Sequence, residues 1–126
     1  MRCIFAAALI ALGLPAVASA AQPISAGEFL ARAEPLMKRS KVALMFSGEA
    51  RALMRTVGDA AQRNRARLDA ARAAGKPVTT SLPPKGKASV SATELLAYLR
   101  GLPPAQRAQS FETAFAGFMQ RKYPCG

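Results

Sequence analysis

The chain has 126 residues, 18 basic and seven acidic side chains, a formal net charge of +11 and no histidine. Without histidine there is no ordinary base for a serine or cysteine nucleophile and no imidazole to hold a metal, so common hydrolytic and zinc-dependent chemistries are excluded. The cationic excess instead favours acidic partners.

The opening stretch MRCIFAAALIALGLPAVASA places Arg2 ahead of an apolar run from Ile4 to Leu14, then the small-x-small site Ala18-Ser19-Ala20. That order is the build of a secretory signal peptide cut between Ala20 and Ala21. The apolar run is far shorter than the roughly 20 residues needed to cross a bilayer, so no transmembrane anchor is expected. Cleavage would remove Cys3 and leave residues 21–126 as one exported domain, periplasmic or secreted, with Cys125 as its odd cysteine. Leucine, isoleucine, valine and phenylalanine make up roughly a fifth of that domain, so its core must be small and well patterned.

Ser25-Ala-Gly-Glu28 reads as a capping box that opens a helix with Phe29, Leu30, Ala33 and Met37 on one side. Pro35 predicts a kink or break near Glu34. After the basic connector Lys38-Arg39-Ser40-Lys41, the apolar run Val42–Phe46 reads as a helical turn packed into the core. The strongest element runs over residues 48–74, capped by Ser47 and stopped by Gly75 and Pro77. Its apolar face carries Leu53, Met54, Val57, Ala61, Asn64, Leu68 and Ala71, with Arg51, Arg55, Arg65 and Arg72 opposite. Asp59–Arg63 and Arg65–Asp69 have the four-residue spacing of helix ion pairs.

Residues 76–90, rich in proline, serine and threonine, form a loop. Ser91-Ala-Thr-Glu94 is a second capping box, starting a short helix with Leu95, Tyr98, Leu99 and Leu102 inward. Gly101 and Pro103-Pro104 end it, and Ser110 caps a last helix whose Phe111, Phe115, Phe118 and Met119 form one stripe. That stripe reads as core. The sum is an all-α, single-domain bundle of four to five helices.

A catalytic, cofactor or metal site is not expected: the seven carboxylates lie apart, and no glycine-rich phosphate loop is present. Two readings of the basic side chains stay open, a solvated surface or a partner-binding face. The candidates for the latter are Arg51, Arg55, Arg63, Arg65, Arg72, Lys85 and Lys87. No nucleic-acid partner is expected; DNA is the least favoured, because an export signal takes the protein away from the chromosome.

The segment from Ser81 to Cys125 carries a Pro-rich turn at Leu82-Pro83-Pro84 and an apolar helix ending in Tyr98-Leu99. Pro103 or Pro104, Arg107, a final helix and the terminal Pro124-Cys125 follow. In this pattern it resembles the C-terminal half of the Rap/Tai-type immunity proteins. The N-terminal half agrees only in helical character and an early "EFL" helix, and lacks that family's cysteine-bearing helix. The resemblance implies a small exported α-helical protein, not an enzyme, that binds and neutralises a peptidoglycan amidase effector delivered by type VI secretion. It also implies that Cys125 has lost its disulfide partner, because the family's loop cysteine aligns with Ser81, or with Leu82 one residue on. The expected state is a monomer with a leftover thiol, and a Cys125-linked dimer is the alternative. An alternative function is a cationic envelope protein that binds anionic lipid or cell-wall polymer.

Overall fold

The computed structural model describes residues 24–125; the expected leader, the Ala20–Ala21 site and Cys3 lie outside the described residues. The described chain is all-α, with two isolated antiparallel bridges and no strand. Its six helices are α1 Ala26–Met37, α2 Lys41–Met45, α3 Gly48–Ala73, α4 Ala92–Arg100, α5 Pro104–Arg107 and α6 Phe111–Lys122. The count exceeds the expected four to five because Pro103-Pro104 start the four-residue turn α5, which has no side-chain cap.

Serine starts most of these helices. Ser25, Ser40, Ser47, Ser91 and Ser110 each accept from the backbone N–H three residues on, satisfying a group the helix itself leaves free. At α4 the box is complete, with the Glu94 carboxylate also accepting from the Ser91 N–H. The end of α3 forms as its glycine predicts. Gly75 takes φ +70°, donates to the Arg72 carbonyl and lets Lys76 reach back to Ala71, a Schellman closure. Pro35 does not break α1 at Glu34. It lies so near the end that the helix continues to Met37 and finishes in tighter bonds, Lys38 to Pro35 and Arg39 to Leu36.

The core is built on α6, which packs on α1, α3 and α4. Phe111 stacks on Phe29 with ring centroids 4.1 Å apart, and Phe115 and Phe118 continue the row to an edge contact with Tyr98. Phe111, Phe115 and Leu99 are the largest fully buried side chains, so the phenylalanine stripe is core. Leu36 and Leu96 join it, although neither stands on the apolar face read from sequence.

The Val42–Phe46 segment departs from expectation. It is helical, but no residue of α2 is buried; Val42 is 65% exposed, Met45 72% and Phe46 79%. A five-residue helix set between the caps at Ser40 and Ser47 can turn only one side chain inward, and that residue is Leu44. Met37 and Met54, expected on buried faces, are exposed as well.

Asn64 sits on the buried side of α3, 6% exposed, and its Nδ2 finds no acceptor among the described residues. A buried unpaired amide costs about 1–3 kcal/mol. Asn64→Leu should therefore raise the melting temperature in a calorimetric scan by several degrees, about 4–8 °C per kcal/mol in a domain of this size. A fall would show that the amide has an unrecognised partner.

Candidate functional site

The seven cationic candidates separate into two groups. Some are occupied by the fold. Arg63 donates to Glu112 on α6 at 2.8 Å, in place of the expected helix pair with Asp59. Arg65 donates to the Pro83 carbonyl at 2.9 Å, not to Asp69. Arg72 takes the Thr80 carbonyl at 2.8 Å and lies 3.8 Å from Asp69. These three arginines fasten α3 to α6 and to the 76–90 loop, because each finds an acceptor on a neighbouring element. Lys85 and Lys87 are exposed around Gly86, whose φ of +88° makes the loop's turn. Arg51 and Arg55 are exposed and make no ion pair among the described residues.

The loop is also clasped from below. Ser81 N–H donates to the Tyr123 carbonyl at 2.8 Å and Cys125 N–H to the Thr79 carbonyl at 3.1 Å, with Thr80 and Pro124 bridged between them. This register sets Thr79 across from Cys125 and Ser81 across from Tyr123. Cys125 is a free, exposed thiol whose nearest polar contact is the Val78 carbonyl, 3.5 Å away. Lys122 adds a second tie, to the Ser89 carbonyl at 2.6 Å and the Glu94 carboxylate at 2.9 Å. A matching clip joins the start of α1 to the start of α6, through Ala26 to Gln109 and Phe111 to Ile24.

The Lys122 hydrogen bond, helped by the Ser91 N–H, holds the Glu94 carboxyl below its ordinary value. A carboxylate more acidic in the folded than in the unfolded chain stabilises the fold above its unfolded pKa of about 4.3, and that share is lost as pH falls through the folded value. Melting temperatures should therefore drop on acidification through the carboxylate range, and Glu94→Gln should make the drop shallower. An unchanged slope in Glu94→Gln would remove this pair from the account. Glu49 is held down in the same sense by Arg32, which donates to it from α1.

The feature that sequence reasoning missed is an apolar groove of about 620 Å³ between α1, α2, α3 and α4. Leu36, Leu44, Leu53, Val57, Leu95 and Leu96 form its walls and floor, and Met37, Met45 and Met54 its lips. Val42 and Phe46 extend the apolar surface beyond one lip. Exposed cations without ion pairs among the described residues neighbour the lining in sequence: Lys38, Arg39 and Lys41 between Met37 and Leu44, and Arg51 and Arg55 next to Ala50 and Met54 on α3. On α3, Glu49 is taken by Arg32, and Asp59, next to Gly58, is exposed without an ion pair among the described residues.

In this groove nothing converges for catalysis. Its lining is almost wholly hydrocarbon and thioether, suited to packing against another apolar surface. Among the described residues no helix is long and apolar enough to cross a membrane, and no three potential metal-ligating side chains come together. Compared with known proteins, the chain matches no family model, no curated protein and no solved structure.

Proposed function

We propose that this is an exported protein-binding domain without catalytic activity, of the immunity type that captures and silences a peptidoglycan amidase effector. One observation carries the binding half of this reading: Met45 and Met54, each more than 70% exposed, border a single apolar groove. Small soluble domains rarely leave such a patch open unless something covers it. The immunity half rests on the resemblance of the segment from Ser81 to Cys125 to Rap/Tai-type proteins. The amidase-type partner would be blocked by occlusion, with α2 and α3 as the contact surface. The test is peptidoglycan digestion by type VI amidase effectors in the presence of the purified protein. A stoichiometric block is expected; turnover unchanged at molar excess overturns the immunity reading.

A second reading has its own support. Val42 and Phe46 stand clear of the groove beside Lys38, Arg39 and Lys41, a pairing of apolar and basic residues that suits an anionic lipid surface. Salt separates the two. Electrostatic attachment to vesicles should weaken steeply between low and physiological ionic strength, whereas a packed protein interface should weaken less.

A further inference from the structure

We infer that the groove takes one amphipathic α-helix of a partner protein, with apolar anchors seated between the methionine lips and acidic residues along its flank. This rests on the protein-binding reading and names the chemistry of the segment that is bound.

The shape argues first. The groove is concave, and its volume of about 620 Å³ lies within the range of clefts that enclose a ligand. A bilayer surface, flat on this scale, would touch the lips and leave the floor empty.

Gly58 argues second. It lines the groove in the middle of α3, where glycine is less favourable than alanine. A Cβ there would meet nothing within 4 Å. Gly117 differs: a Cβ on it would come within 2.8 Å of the Tyr98 hydroxyl, so packing within the fold explains its glycine. No contact inside the domain explains Gly58. Close approach by an occupant does, since the bare backbone lets a bound segment settle beside Met54 and Val57.

The walls decide the occupant's backbone. They are side chains of helices and offer no free sheet edge, so an extended peptide would press unpaired N–H and C=O groups against hydrocarbon. A helix closes its own hydrogen bonds and presents only side chains, with anchors at three- and four-residue spacing.

Charge decides its flank. Lys38, Arg39, Lys41, Arg51 and Arg55 are exposed without ion pairs among the described residues, five cations against the one exposed unpaired acid of α3, Asp59, while Glu49 is neutralised by Arg32. An acidic flank meets those cations; a basic one is repelled.

The test is selection from a displayed library of helical peptides on the purified protein, followed by fluorescence anisotropy with the winning peptides. Enriched sequences should carry apolar anchors at helical spacing and flanking Asp or Glu. Their Kd should rise at least about tenfold on Gly58→Leu, which adds bulk beside Met54 and Val57, and on Arg51→Glu with Arg55→Glu, which reverses two of the neighbouring charges. Both changes sit on exposed positions of α3, and circular dichroism melts verify the fold. Any other pattern overturns the inference. Such patterns are no enrichment, peptides without acids, equal binding by both variants, stronger capture by anionic phosphatidylglycerol vesicles that displace the peptides, or a dimer in sedimentation that closes the groove. The two readings fail separately. An amidase still blocked by the Gly58→Leu protein sinks the groove as its contact; peptide binding with the amidase unaffected sinks immunity and leaves the groove.

Discussion

Phe115→Ala is expected to unfold the domain at ordinary temperatures or to lower its melting temperature by roughly 12–40 °C. Phe115 has no exposed surface and lies between Phe111 and Phe118, with centroids 5.9 and 6.3 Å away, on the helix that touches α1, α3 and α4. Truncating such a ring typically costs about 3–5 kcal/mol, the lost transfer energy plus the void that neighbours cannot fill. A small domain has only about 5–15 kcal/mol in total. Val42→Ala is the matched control: at 65% exposure it should change stability by no more than about 0.5 kcal/mol. Thermal melts of both variants check the pair. Equal effects would mean that α6 is not the centre of the core.

The second large effect is a gain. Thr79→Cys is expected to form an intrachain disulfide with Cys125 and to stabilise by ~3–4 kcal/mol, since the closed loop is long. The clasp sets these two residues opposite one another, where antiparallel neighbours have Cα atoms about 5.5 Å apart, inside the span a disulfide accepts. Ser81→Cys, the substitution that the family resemblance suggests, faces Tyr123 and lies diagonal to Cys125. Such neighbours are about 7–8 Å apart, too far without backbone movement. Both variants should carry Cys3→Ser so that only two thiols can react. Mass spectrometry after oxidation counts the free thiols, and melts with and without reductant measure the gain. A bridge in Ser81→Cys but not in Thr79→Cys would show that the clasp has a different register.

Much of the fold was legible because its signals are local. Serine caps, Gly75 and the Phe111–Met119 stripe each act within a turn or two of helix, and the helices start, stop and face inward as those residues predict. What escaped depends on neighbours distant in sequence. Arg63, Arg65 and Arg72 had plausible roles on their own helix, yet Glu112, Pro83 and Thr80 on other elements capture them. The apolar run Val42–Phe46 looked like core because hydrophobicity alone does not reveal which side a five-residue helix will turn. The groove was invisible for the same reason: its walls come from four helices. Only the adjacency of Lys38-Arg39-Ser40-Lys41 to that run hinted at it.

The fastening of residues 79–81 to residues 123–125 also sets a schedule. Synthesis proceeds from the N-terminus, so Tyr123, Pro124 and Cys125 appear after everything they secure. Until then the 76–90 segment is held by the α3 arginines at Thr80 and Pro83 and by the packing of Leu82, Ala88 and Val90 on the core. The nascent domain must pass through a stage in which most helices exist while one broad flap stays unlatched, and that stage is when proteases and holding chaperones find their best grip.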